Sequence, residues 1–186
     1  MRTLGAVGRY TWSAFENRLK IGLEAGYASG DTVPNSPKGR THIAYQQPIG
    51  ANGDTTFSTF NFNRDYKIDL ILFRHLIGAV SNAAYAKPFI SYDLTKSITA
   101  KLSNVTAGAP HASATPGNDT LYGTEFDADI SYHNGGFTAG MSSGVLIPFA
   151  AMAHPDTASG TEVGFGSNYG DASTAYTILT RAMVAF

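Results

Sequence analysis

The stretch EFDADISYH, residues 125–133, sets Glu125, Asp127, Asp129, Ser131 and His133 at alternate positions, with Phe126, Ala128, Ile130 and Tyr132 between them. Side chains of an extended strand point to opposite faces in turn. One face therefore carries three acids in a row, while the other is apolar and ends in aromatic rings. Unpaired charge is too costly to bury in a dry core, so the acidic face is expected to meet water. Two architectures fit: a one-sided sheet on a soluble core, or the wall of a wide, wet barrel with lipid outside.

The same pattern closes the chain. In YTILTRAMVAF, residues 176–186, Tyr176, Ile178, Thr180, Ala182, Val184 and Phe186 share a face free of charge, and Arg181 lies on the other. An aromatic stands at each end of the uncharged face. Aromatic rings favour the membrane–water interfaces, and a spanning strand needs about 9–11 residues. Five more segments read as strands: residues 4–14, with Leu4, Ala6, Tyr10 and Trp12 in phase; LKIGLEAGYAS; AAYAKPFISYDL; SITAKLSNVTA; and FTAGMSSGVLIPF after an Asn134-Gly135-Gly136 hairpin signal.

The connections alternate in length. Short turns fall at Glu16-Asn17, Thr95-Lys96 and Asn134-Gly135, and long ones at 30–82, 109–124 and 150–171. An up-and-down barrel puts all its short turns on one rim and all its long loops on the other; a Greek-key sandwich has no reason to. The expected fold is all-β, an antiparallel up-and-down transmembrane β-barrel of about seven strands forming one domain over 1–186. No run approaches the ~20 apolar residues of a spanning helix. A mean hydropathy of −0.10 is what averaging of lipid-facing and water-facing positions produces. Complete single-chain bacterial barrels have even strand numbers, and the first residues carry no signal-peptide pattern. The expectation is thus the C-terminal portion of a larger barrel.

The segment RDYKIDLILFRHLIG, residues 64–78, is too densely apolar for a period-two strand. Asp65 is placed to cap a helix and Gly78 to end one. A short helix within loop 30–82 is expected, either external or folded into the lumen as a constriction or plug. The alternative is an extra strand pair, apolar on both faces.

For chemistry, the inward-facing charges matter most. Glu24, Lys87, Lys101, Glu125, Asp127, Asp129 and Arg181 are expected to line a lumen, with acids and bases paired across neighbouring strands. Charge rings set pore selectivity, but mixed signs leave the ion preference open. His42, His75, His111, His133 and His154 show no metal spacing and there is no Cys, so no metal or cofactor is expected. A barrel-embedded hydrolase needs His beside Ser or Asp near the lipid or external rim; His133 and Ser131 share a face but are expected at the periplasmic end. A net charge of −1 gives no sign of a nucleic-acid partner.

The terminal strand resembles the C-terminal assembly signal of Gram-negative outer-membrane β-barrels, a final Phe with apolar residues at alternate positions before it. That resemblance gives Tyr176, Ile178, Val184 and Phe186 to the signal. It implies recognition by the barrel-assembly machinery and residence among outer-membrane lipid. GLEAGYASGD and FNFNRDYKIDLILFRHLIGAVSNAAYAKPFISY are similar to porin-like barrels of the alginate-export type. They are closer still to an uncharacterised myxobacterial outer-membrane family. The resemblance spans most of residues 19–149 and carries no substrate with it; the strongly basic lumen expected of a polyuronate exporter is missing. The expected function is a porin-like channel for small polar solutes or saccharides. A structural or receptor-like plugged barrel is the alternative, and a barrel-embedded hydrolase the third.

Overall fold

The computed structural model describes residues 2–31, 58–153 and 172–185. Seven strands form one antiparallel up-and-down sheet in chain order. They are β1 (Gly5–Ala14), β2 (Leu19–Ala28), β3 (Ala83–Asp93), β4 (Ile98–Gly108), β5 (Leu121–Asn134), β6 (Phe137–Pro148) and β7 (Ala175–Val184). Among the described residues β1 and β7 are both edges and the sheet does not close on itself.

The hairpin turns sit on one rim. Gly135 takes φ +57°, a left-handed conformation that glycine adopts without strain, and Asn134 pairs directly with Phe137 across it. Between β3 and β4, the Thr95 hydroxyl accepts the N–H groups of Ser97 and Ile98. Between β1 and β2, Phe15, Glu16 and Asn17 all take positive φ. The longer connections leave from the opposite rim.

The register sorts the strand side chains cleanly. Arg9 stands opposite Glu24, Glu24 opposite Lys87, Lys101 opposite Asp129, and Gly140 opposite Arg181. Following these pairs across the sheet, Arg9, Lys20, Glu24, Lys87, Asp93, Lys101, Glu125, Asp127, Asp129 and Arg181 all fall on one face. Those are all the Asp, Glu, Lys and Arg residues in the seven strands. The other face is uncharged and mostly apolar apart from a hydrogen-bonded Asn104–Thr106–Thr124 group, and its large side chains are uncovered: Leu102 is 58% exposed, Phe126 53% and Ile178 72%.

The buried core lies on the charged face, near the long-connection rim. Residues 66–82 fold back over it as a strap. Ile68, Ile71, Leu72, Phe73, Ile77 and Val80 pack there against Tyr85, Val105, Tyr122 and Leu146. The Phe73 and Tyr122 rings meet edge to face at 6.2 Å, a favoured aromatic geometry. The strap contains the expected helix, a single turn of π type over Leu72–Ile77, and Gly78 ends it with φ +89°. Among the described residues an extra strand pair is not formed; an isolated bridge, Asn61 to Ser81, links the two ends of this region. The expected cap is corrected: Asp65 is exposed, and it is Asp69 whose carboxylate takes the N–H groups of Phe73 and Arg74 at 2.9 and 3.0 Å.

Candidate functional site

Three side chains of the sheet hold the strap, and each sits on the charged face because of strand alternation. Glu125 of β5 is the first. One oxygen of its carboxylate accepts N–H bonds from Leu70 and Ile71, and the other accepts one from Leu72, all at 2.8 Å. The expectation that this acid meets water is overturned, since Glu125 is fully buried. Its three backbone donors are the physical reason: a carboxylate leaves water readily only when hydrogen-bonded donors replace it.

Glu24 of β2 is the second anchor and is likewise buried. Arg9 of β1 pairs with it across the strands. The hydroxyls of Tyr66, from the strap, and Tyr85, from β3, donate to its Oε1 at 2.7 and 2.9 Å. Gly26 makes this possible. A Cβ there would stand 2.3 Å from the Tyr85 ring, which occupies that space. The third anchor is Lys87 of β3, whose ammonium donates to the Ile68 carbonyl.

Asp69 lies in the strap beside this network. Burial pushes its carboxyl up, the negative charge of Glu125 adds to that, and the N–H bonds from Phe73 and Arg74 and the charge of Lys87 oppose it; the result is about 7. Burial likewise raises the Tyr66 phenol.

Toward the hairpin rim the strap ends and a cavity of about 300 Å³ opens between it and β3–β7. Lys67, Asp69 and Arg74 border it from the strap; Lys87, Lys101, Asp127, Asp129 and Arg181 border it from the sheet. Asp129 accepts from the Ser142 hydroxyl at 2.5 Å and has Arg181 at 3.5 Å. Lys101 stands opposite Asp129 in register, yet its ammonium lies 5.0 Å from the centre of the Phe89 ring. One oxygen of Asp127 is buried with no hydrogen-bond partner.

The sequence-derived lining residues thus share one face, but they divide. Glu24 and Glu125 are buried anchors; Lys87, Lys101, Asp127, Asp129 and Arg181 border the cavity. Tyr176, Ile178 and Val184 lie on the opposite, apolar face of β7, and Phe186, His42 and His154 fall outside the described residues. His133 Nδ1 lies 3.2 Å from the Thr138 hydroxyl at the hairpin rim, away from the cavity. Several contributors escaped sequence reasoning, Arg9, Tyr66, Lys67, Asp69, Arg74 and Tyr85 among them. Arg9 was in phase with the other charges and alternation alone would have found it. Asp69 had no periodic signal. Among the described residues no group of acids and histidines is arranged to hold a metal ion. No protein-family model, curated protein or solved structure matches the chain.

Proposed function

We propose that the sheet is part of the wall of a bacterial outer-membrane barrel that passes small polar solutes, with the strap narrowing the lumen. One observation carries this: every charged strand residue lies on one face, while the other is uncharged and mostly apolar, with its large apolar side chains uncovered. A soluble sheet buries its apolar face under a second layer. Here the second layer, the strap, covers the charged face instead, which leaves the apolar face to a solvent that is itself apolar. Strand lengths of 10 to 14 residues suit a tilted crossing. Tyr92, Tyr132 and Phe137 stand near the hairpin rim of the apolar face, and Tyr27, Phe149 and Tyr176 near the other, as interfacial girdles do. The resemblance of the terminal strand to a barrel-assembly signal agrees with this, as does that of residues 19–149 to porin-like families.

The strap's three anchors favour a second reading, a plugged barrel that scaffolds partners without transport. Reconstitution of the full protein in planar bilayers decides. Stepwise conductance supports the channel. A protein that inserts but stays silent supports the plug. A protein that stays soluble and monomeric without detergent overturns both.

A further inference from the structure

We propose that the cavity below the strap is a binding site for a small solute bearing a carboxylate. The inference rests on the channel reading in one respect, that solutes reach this face. Its basis is an imbalance of free charge. Five cationic side chains and three acidic ones border the cavity, although the chain as a whole carries −1.

Two of the three acids are occupied. Asp69 takes two backbone N–H groups, and Asp129 takes Ser142 and Arg181. Asp127 turns one oxygen away from solvent, with no partner. The cations are less so. Among the described residues no carboxylate lies within ion-pair distance of Lys67, Arg74 or Lys101, and Lys87 is bound only to a neutral carbonyl. Three cations without a carboxylate partner stand on two sides of the cavity, Lys67 and Arg74 from the strap and Lys101 from β4, where they can converge on one anion. Arg74 offers a planar fork that matches a carboxylate. The volume, about 300 Å³, is of the size that takes a small molecule.

The test uses the full protein refolded in detergent micelles and the probe pair D-gluconate and sorbitol, similar in size and hydroxyl content but differing in charge. Saturation-transfer NMR is expected to show gluconate bound and sorbitol not. Lys67→Gln, Arg74→Gln and Lys101→Gln are each expected to weaken gluconate about two- to fivefold, and the triple variant to abolish it. Lys96→Gln, in an exposed hairpin turn, should change nothing. Circular dichroism establishes that each variant is folded, and the single variants keep the test decisive if the triple variant is not. Equal binding of both probes, or binding indifferent to all three single variants, overturns the site. Gluconate binding without bilayer conductance upholds the site and removes the channel; conductance without gluconate binding does the reverse.

Discussion

The Glu125 carboxylate accepts the backbone N–H of Leu72 at 2.8 Å, across 53 residues of chain. With Leu70 and Ile71 it holds the start of the π-helical turn. Helix starts leave N–H groups without partners, and a carboxylate at that end is favoured by both hydrogen bonding and the helix dipole. The usual donor of such a cap is a neighbour in sequence. Here it is the sheet, so capping the turn and docking the strap are one interaction.

Glu125→Ala is therefore expected to release the strap while the sheet persists. It leaves two buried donors, Ile71 and Leu72, without acceptors at about 1–3 kcal/mol each, and the half-buried Leu70 at less, reduced by relief of repulsion with Asp127 and Asp69. Hydrogen exchange read by mass spectrometry should accelerate more than tenfold over 68–77 and little over β1, β2 and β4. Uniform acceleration across all strands would show that Glu125 supports the whole sheet rather than the strap. In bilayers the same variant should conduct more than the parent protein.

Asp69 gives the strap a pH dependence of defined sign. Its carboxyl is raised from 3.8 to about 7 in the docked strap. Since the docked state holds the proton more tightly, docking is strongest in acid, weakens as pH rises from about 4 to 7, and levels off above 7. Between pH 5 and 7 the loss reaches at most about tenfold per unit. Exchange over 68–77, corrected for the intrinsic rate, should follow this curve. Asp69→Asn should flatten it; a parent protein whose strap tightens toward pH 8 contradicts the assignment.

Outer-membrane barrels keep short turns in the periplasm and long loops outside, so the rim of long connections is expected to face out. A single cysteine at Asn118, in the connection between β4 and β5, should react with a membrane-impermeant maleimide on intact cells. One at Lys96, in the β3–β4 turn, should react only after lysis. Equal labelling at both positions removes the proposed orientation.

The strands were legible because alternation is written residue by residue. Phe126, Ala128 and Ile130 announce one face of β5 with no knowledge of its neighbours, and short turns such as Gly135-Gly136 then dictate pairing. The strap's existence was legible too, from the apolar density of 68–77. What holds it was not. Glu125 looked like one more wetted acid because its partners are backbone N–H groups of residues 70–72, which carry no side-chain signature. Asp65 stands too far ahead to cap the turn that forms, a short π turn beginning at Leu72, whose N–H groups reach Asp69 instead. The cavity needed the tertiary placement of Lys67 and Arg74 beside Lys101, residues brought together only when the strap folds back.

The last prediction concerns two adjacent residues and tests the register on which the membrane reading depends. Ile130 lies on the apolar face and is 43% exposed; Asp129 lies on the charged face beside Arg181 and Ser142. An Arg facing lipid near the midplane costs about 2–4 kcal/mol, while changes on a wet wall cost less. Ile130→Arg should thus impair folding into lipid vesicles, and Asp129→Arg should do so less, its cost being the repulsion from Arg181. Folding loss at Ile130 alone does not separate lipid from an unseen protein layer, since either would reject the charge. Contact with lipid does separate them. A fluorophore attached to a cysteine at position 130 should be quenched strongly by brominated acyl chains, and one at 129 weakly. Absence of quenching at 130 would mean that the apolar face is covered by protein, and the barrel reading would fall with it.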